Sequence, residues 1–311
     1  MSTPYARRVR AYFAPVDRNA KEPTIFDAAQ DGRFDVSSPP EPWVDLGWIE
    51  GFERSSDTKI EAVDTGTPLT ATRQVRSKIG AMVTFTFATW NKLQLALSAG
   101  VQQMNLLPTS SGASTAGSGG TAATALTLLE GSTSTTLIMS AADASTLVAG
   151  DLVVVDVDYT GEIGFVGAGV SGAYVKSALS DLAYVRRVSL NVGRVATVQE
   201  GVVTLEAPLL AGAPLTAMKA QKVLGYCDRE GSTFFQEWSA LFVAEGQQGE
   251  RVLWHYPRLQ AAIGPIERQT KIADGFTTLG LQARFRALPV LDAVDAETIV
   301  CFRSFLSGKV D

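Results

Sequence analysis

The sequence is poor in the side chains that most often build metal and redox sites. Among 311 residues it contains one histidine, His255, and two cysteines, Cys227 and Cys301. The cysteines lie far apart in strand-like apolar segments, which favours buried free thiols over a disulfide. Two thiolates and one imidazole cannot complete a structural zinc site, and no closely spaced cysteine pair is present. We therefore expect no cysteine-bound metal and no cofactor.

Positive charge and long apolar runs are also scarce. The chain has 27 basic against 32 acidic residues and a net charge of -5, which argues against a protein that grips nucleic-acid phosphates. No apolar run approaches the roughly 20 residues that span a bilayer. The amino terminus lacks the apolar core and cleavage site of a signal peptide, so we expect synthesis in the cytoplasm and no membrane span.

The sequence carries no convincing catalytic constellation. His255 lies on a predicted strand without a nucleophile-elbow motif, and we expect a partly exposed structural residue. Glu230 and Glu237 lack spacing that supports a glycosidase pair, and pairing with arginines on a hairpin rim explains them better. Residues 156–161 begin like a calcium loop, but Gly167 stands where that loop needs a bidentate glutamate. The prediction is that this protein is not an enzyme.

A Ser/Thr/Gly/Ala tract at residues 109–124 divides the sequence. Without bulky apolar side chains it cannot offset its own ordering entropy, which is typical of a linker. Short apolar strands separated by Gly and Pro turns follow it, and the aromatic-rich, charged style of the first part returns near residue 225. We predict an outer domain split into residues 1–108 and 224–311, with a linker and an inserted small all-β domain at 109–223.

Strand patterns dominate the outer domain. Residues 81–87 and 279–288 alternate between apolar and polar side chains, and residues 234–256 form the best hairpin pattern. A helical pattern covers residues 88–99. The predicted fold is mainly β, a sandwich or barrel with one flanking amphipathic helix.

Two segments depart from these patterns. Residues 53–80 are long, polar and turn-rich, which is the profile of an extended hairpin or loop that projects from a sheet. Residues 1–38 lack a regular pattern, and we expect this arm to become ordered only on assembly.

Five segments of the outer domain follow one another in a characteristic order, with the long polar excursion after the first: EPWVDLGWIEGF, QVRSKIGAMVTFTFATWNKLQLALSAG, DREGSTFFQEWSALFV, GERVLWHYPRLQ and LQARFRALPV. This succession resembles a tail tube protein of a tailed bacteriophage or prophage. The resemblance covers about residues 42–107 and 226–306 and consists of element order and style.

This resemblance implies a function. In that family a β-sandwich or barrel with one helix assembles into rings, usually of six subunits, that stack into a hollow tube. Inserted domains commonly decorate the outside of the tube. The implied partners are further copies of the chain, the tape-measure protein, and tail-tip or terminator proteins, while viral DNA passes without specific binding. The implied location is the virion tail, after synthesis in the cytoplasm of the host bacterium.

Two sets of residues are candidates for roles in such an assembly. Charged residues of the 53–80 excursion are the candidates for ring stacking, although a flexible surface loop remains the alternative: Lys59, Glu61, Asp64, Arg73, Arg76 and Lys78. Polar residues of two alternating strands are the candidates for the channel or interface face: Thr84, Thr86, Gln282, Arg284 and Arg286. A channel for DNA should not hold phosphate, so we expect a lumen that is negative on balance, with the arginines paired or turned toward an interface.

Two other classes of function remain open. A carbohydrate-binding or host-recognition module would use exposed aromatics such as Trp238, Trp254 and Tyr256, but their alternation favours core packing. A glycosidase-like enzyme is the third possibility, weakened by the carboxylate spacing.

Overall fold

The structure is a computed structural model. It describes residues 8–16, 22–89, 91–100, 102–108, 124–156, 163–164, 171–173, 191–215, 217–230, 236–262, 266–273, 275–292 and 294–308. Almost all of the predicted linker and all of the calcium-like segment except Asp156 lie outside these ranges. So do most of residues 184–192, one of the short apolar strands predicted after the linker.

The described part of the chain is mainly β with two short helices. The elements before residue 101 are β1 (Val9–Pro15), β2 (Val44–Ser56), β3 (Lys59–Thr65), β4 (Thr70–Lys78), β5 (Ala81–Phe87) and α1 (Lys92–Ala99). The middle elements are β6 (Gln102–Leu107), β7 (Leu126–Thr127), β8 (Thr136–Ile138), α2 (Ala141–Ala144), β9 (Leu152–Asp156), β10 (Ile163–Gly164), β11 (Ser171–Ala173), β12 (Val192–Gln199), β13 (Val202–Leu205), β14 (Lys219–Val223) and β15 (Gly225–Arg229). The last are β16 (Glu237–Glu245), β17 (Arg251–Ala261), β18 (Ile266–Ala273), β19 (Phe276–Ala287), β20 (Val290–Leu291), β21 (Thr298–Ile299) and β22 (Phe302–Leu306).

These elements form two compact units, each with its own sheets. The outer unit comprises Met1–Gly100 and Phe235–Asp311, and the inserted unit comprises Val101–Phe234. The predicted insertion, residues 109–223, is too narrow at both ends. The reason is that β6 and β15 pair with each other, Gly225 opposite Leu106, and therefore belong to the inserted unit.

The outer unit is built on a closed antiparallel barrel. Strands pair in the order β19, β5, β2, β1, β16 and β17, and β17 returns to β19 at Leu259 and Ala287. Strand β18 extends the sheet beside β19, and β22 extends it beside β17. The prediction of a mainly-β fold with a flanking helix is confirmed. The sequence left open whether the fold is a sandwich or a barrel, and the structure shows a barrel.

Aromatic side chains fill the core of this barrel. The ring of Phe13 lies 5.4–6.4 Å, between centroids, from the rings of Phe85, Trp238, Phe242 and Phe285. All five side chains are fully buried, and rings at such separations attract one another beyond their area burial. The interior of the barrel is therefore a packed core.

Strand β1 corrects the prediction for the amino-terminal arm. It lies between β2 and β16, with Ala11 opposite both Gly47 and Phe242. One face of β1 enters the barrel core, and the other packs under residues 23–43, where the Tyr12 hydroxyl donates to the Val36 carbonyl at 2.7 Å. Burial on both faces removes the alternation that marks a half-exposed strand, so the segment appears irregular in sequence although it is central.

Helix α1 begins later than predicted and is more deeply buried. Asn91 caps it by accepting the Leu93 N–H at 2.8 Å, and Gly100 ends it in the left-handed conformation with φ 62°. The helix packs on β17 and β19. Its polar side chains Lys92 and Ser98 are buried along with Leu93 and Leu97, so it does not have the exposed face expected of an amphipathic helix.

The inserted unit contains a six-stranded sheet and a four-stranded sheet. The order of the first is β7-β14-β9-β12-β13-β8, and that of the second is β10-β11-β6-β15. Val153, Val195, Val203, Leu205 and Ala220 are buried together in the core beneath the larger sheet. The unit therefore has apolar burial of its own.

The outer unit should fold without the insertion. The Gln236 N–H donates to the Gly100 carbonyl at 3.1 Å, so the chain leaves and re-enters this unit at neighbouring points. Joining Gly100 to Gln236 through a short Gly-Ser linker is expected to preserve the barrel. Tryptophan emission reports on it selectively, because all five tryptophans belong to the outer unit. The control is a narrower deletion of residues 110–222, which leaves β6 and β15 in the protein without the rest of the inserted unit. This control should yield less folded protein, and equal yields would contradict the boundary of the inserted unit at Val101–Phe234.

Candidate assembly surfaces

The predicted channel-face residues lie together on the outside of the barrel. Thr84 is opposite Arg284, and Thr86 is opposite Gln282, across β5 and β19. Arg286 follows on the same face, because alternate residues of a strand share a face. Leu281, Ala283, Phe285 and Ala287 are buried between these polar positions, which confirms the predicted alternation from residue 281 onward. Leu279, at the start of the predicted strand, is 45% exposed. The role of this face in a channel stays a prediction.

Strand β2 adds two carboxylates to this polar face that the sequence analysis missed. Glu50 pairs with Thr86, and Glu53 pairs with Thr84. Both glutamates are exposed. Glu50 and Glu53 balance the two arginines, Arg284 and Arg286, so these four side chains carry no net charge on the face of one chain. The sign of an assembled lumen stays a prediction.

Asp57 connects the two candidate sets. Its Oδ2 atom accepts hydrogen bonds from Lys78 Nζ at 2.7 Å and from Arg286 Nη1 at 3.0 Å. The hydrogen bond from Lys78, supported by both positive charges, lowers the pKa of the Asp57 carboxyl from its usual value. One arginine of the polar face is therefore paired to a carboxylate, as expected for Arg286. Sequence spacing gave no signal for this contact, because Asp57 and Arg286 lie far apart along the chain.

The predicted ring-stacking residues lie on an exposed hairpin, here called the hairpin arm (residues 59–78). Strands β2 and β5 pair within the barrel, and the Asp57 N–H donates to the Gly80 carbonyl at 2.8 Å where the arm begins. Beyond that point β3 and β4 pair with each other and with no other strand that the structure describes. All side chains of these two strands are exposed except that of Val63. Of the two forms predicted for this segment, a hairpin or a loop, the structure shows the hairpin.

The charges of the hairpin arm are only partly paired. Lys59 forms an exposed ion pair with Glu61 at 2.5 Å, and Lys78 pairs with Asp57. Arg73 lies opposite Val63, and Arg76 lies opposite Ile60. Neither arginine forms an ion pair with any residue that the structure describes. The arm therefore presents free guanidinium groups beside exposed apolar side chains.

His255 is buried, which corrects the prediction of a partly exposed residue. Its Nε2 atom lies 3.2 Å from the Thr24 carbonyl oxygen, and its ring packs against Trp43 and Phe302. Burial lowers the pKa of the imidazole to about 4. The residue is neutral at pH 7 and packs as part of the core.

The residues considered for the two alternative functions lie in different surroundings. Glu237 accepts two hydrogen bonds from Arg258, at 2.7 and 2.9 Å, which is the predicted pairing with an arginine. Glu230 lies in the turn that follows β15 and belongs to the inserted unit, whereas Glu237 belongs to the outer unit. Trp238 and Tyr256 are buried, so they cannot serve as exposed platforms for a sugar. Trp254 is half-buried, and its ring lies 5.2 Å from that of Phe52 between centroids.

The remaining features concern metals, thiols and membranes. Within the described ranges, no three His, Cys, Asp or Glu side chains are grouped closely enough to hold a metal ion. Cys301 is a half-buried free thiol, and burial raises its pKa. None of the helices that the structure describes is long and apolar enough to cross a membrane.

Comparisons with known proteins do not assign the chain to a family. No protein-family model matches it, and no curated protein matches its sequence.

Proposed function

We propose that this protein is a structural subunit that polymerises as stacked rings to form the hollow tail tube of a tailed bacteriophage or prophage. By the resemblance of the sequence, each ring has six subunits. The partners are further copies of the chain, the tape-measure protein, and tail-tip or terminator proteins. Viral DNA passes through the tube without specific binding.

The hairpin arm is the observation that carries this proposal. Seven residues of β3 at about 3.3 Å each extend the arm by roughly 23 Å from the barrel. A two-stranded ribbon exposed on both faces is marginally stable by itself, and Ile60, Leu69 and Val75 are exposed along it. An adjacent subunit that covers the arm would stabilise it and would bury these side chains.

The edges of the barrel sheet support the same proposal. Among the described strands, β18 pairs only with β19, and β22 pairs only with β17. Open edges are sites at which another chain adds strands, and ring formation would close them. The mixed polar face on β2, β5 and β19 suits a surface that stays hydrated in the assembly.

Electron microscopy of the purified full-length protein tests the proposal. We expect rings or tubes in negative stain. Replacing residues 59–78 by an Asn-Gly turn should preserve tryptophan emission and ring formation but abolish stacking, because the arm is exposed and lies outside the barrel sheet. The control is the larger deletion of the inserted unit, which we expect to leave tubes intact. A full-length protein that stays monomeric at high concentration by light scattering, also with a tail-tip initiator present, would contradict the proposal.

A further inference from the structure

A second exposed apolar surface lies on the outer unit, here called the apolar cleft (Ile25, Leu291, Val294 and Phe302). It encloses about 730 Å³, with Arg258 and Asp292 also at its wall. Val294 is 95% exposed, Leu291 68% and Ile25 58%. Apolar side chains grouped in this way, rather than scattered singly, are typical of an interaction surface.

Local hydrogen bonds build this cleft. Strands β20 and β21 pair through Val290 and Ile299, and the turn between them holds Val294 outward. In that turn Asp292 Oδ1 accepts the Val294 N–H at 2.8 Å, and Asp295 Oδ1 accepts the Glu297 N–H at 2.9 Å. Phe302 is stacked on the buried His255 ring at 5.6 Å between centroids. The cleft is therefore supported by the barrel from beneath.

The cleft has an acidic rim. Glu22 and Asp292 line it, and Asp295 and Glu297 belong to the same β20–β21 turn. None of these four carboxylates forms an ion pair with the described part of the chain. Arg258, the cation at the cleft wall, is already paired with Glu237 at 2.7 Å. The rim therefore presents uncompensated negative charge.

The hairpin arm has the opposite character. Residues 59–78 contain four basic and two acidic side chains, a net charge of 4 - 2 = +2. Leu69, at the turn, is 75% exposed, and Arg73 follows it on β4. The hairpin arm thus has an apolar tip beside arginines without an ion-pair partner in the described chain. The apolar cleft has apolar walls beside carboxylates without such a partner, so the two surfaces are complementary in charge. Both surfaces remain exposed in the single chain, so neither covers the other there.

We propose that the hairpin arm of one copy inserts Leu69 into the apolar cleft of a second copy. Arg73 and Arg76 then lie against the carboxylates of Asp292, Asp295 and Glu297. The contact uses two different surfaces of the same chain, so it is heterologous and repeats from copy to copy. This inference rests on the proposed function and names the surface that receives the arm.

Disulfide trapping tests the contact directly. Leu69→Cys and Val294→Cys are made in separate full-length chains that also carry Cys227→Ser and Cys301→Ser, and the two proteins are mixed and oxidised. We expect a covalent dimer of one of each chain. The matched control replaces the Val294→Cys partner with Val148→Cys, an equally simple change at an exposed valine of the inserted unit. Equal dimer yields at both positions would overturn the inference.

Charge reversal tests the specificity of the contact. Arg73→Glu in the Leu69→Cys chain should lower the dimer yield at least about tenfold, because like charges then face each other. Asp295→Arg in the Val294→Cys chain should restore much of the yield, whereas Arg8→Glu, at an exposed arginine outside both surfaces, should have no effect. Tubes without a trapped dimer would overturn the inference and leave the proposed function standing. Neither tubes nor a dimer would overturn both.

Discussion

Replacing Phe13 by alanine is expected to lower the free energy of unfolding of the outer unit by about 4 kcal/mol. The side chain is fully buried and contacts four other buried aromatic rings, from β5, β16 and β19. Removing it leaves a cavity that rigid neighbouring rings cannot fill. Urea unfolding followed by tryptophan emission measures the effect, because all five tryptophans lie in this unit.

The matched control is Phe276→Ala in β19. Phe276 is 69% exposed, so its truncation should change the unfolding free energy by no more than about 0.5 kcal/mol. Similar losses for Phe13→Ala and Phe276→Ala would show that β1 is not part of the barrel core, and the correction made for the amino-terminal arm would then be wrong.

Lowering the pH from about 6.5 to about 4 is expected to destabilise the outer unit through His255. Its pKa is about 4 in the folded chain and 6.5 when unperturbed. Between these values the unfolded chain binds one proton more than the folded chain. The contribution of the neutral, buried His255 to stability is therefore fully present above pH 6.5 and decreases as the pH falls toward 4. The loss amounts to about 3 kcal/mol over that window.

His255→Phe separates this effect from the titration of carboxylates. Phenylalanine keeps the ring contacts with Trp43 and Phe302 but binds no proton. Thermal unfolding at several pH values between 4 and 7 should show a shallower pH dependence in the variant than in the parent. An identical pH dependence in both proteins would mean that the imidazole is solvated in the folded chain.

Period-two alternation predicted the strands that carry one buried and one exposed face. Residues 81–87 became β5 without change, and the alternation of β5 and β19 placed Thr84 and Thr86 on one face with Gln282 and Arg284. The long polar excursion between two barrel strands was also recognisable as a segment that projects from the sheet, although its sequence left open whether it is a hairpin or a loop. In these cases the local order of apolar and polar residues shows directly which side chains face the core and which face water.

Features that depend on contacts between distant segments were not predictable. Strand β1 has no alternation because residues 23–43 cover its outer face. Asp57 joins Lys78 to Arg286 through a contact that no spacing reveals. His255 is buried by Trp43 and Phe302, which come from other parts of the chain. The apolar cleft likewise gathers Ile25 and Leu291, which are unremarkable as single apolar residues.

The outer unit consists of two sequence segments separated by the inserted unit, and this arrangement sets the order in which the two units can be completed during synthesis. Val9 pairs with Ala244, and Ala81 pairs with Ala287, whereas the inserted unit is one continuous stretch from Val101 to Phe234. At about 5–20 residues per second, translation of that stretch takes roughly 7–27 seconds. During this delay β1 has emerged from the ribosome without β16, one of its two partners. The apolar segment of β1 is thus left open to aggregation or chaperone binding for longer than any strand of the inserted unit.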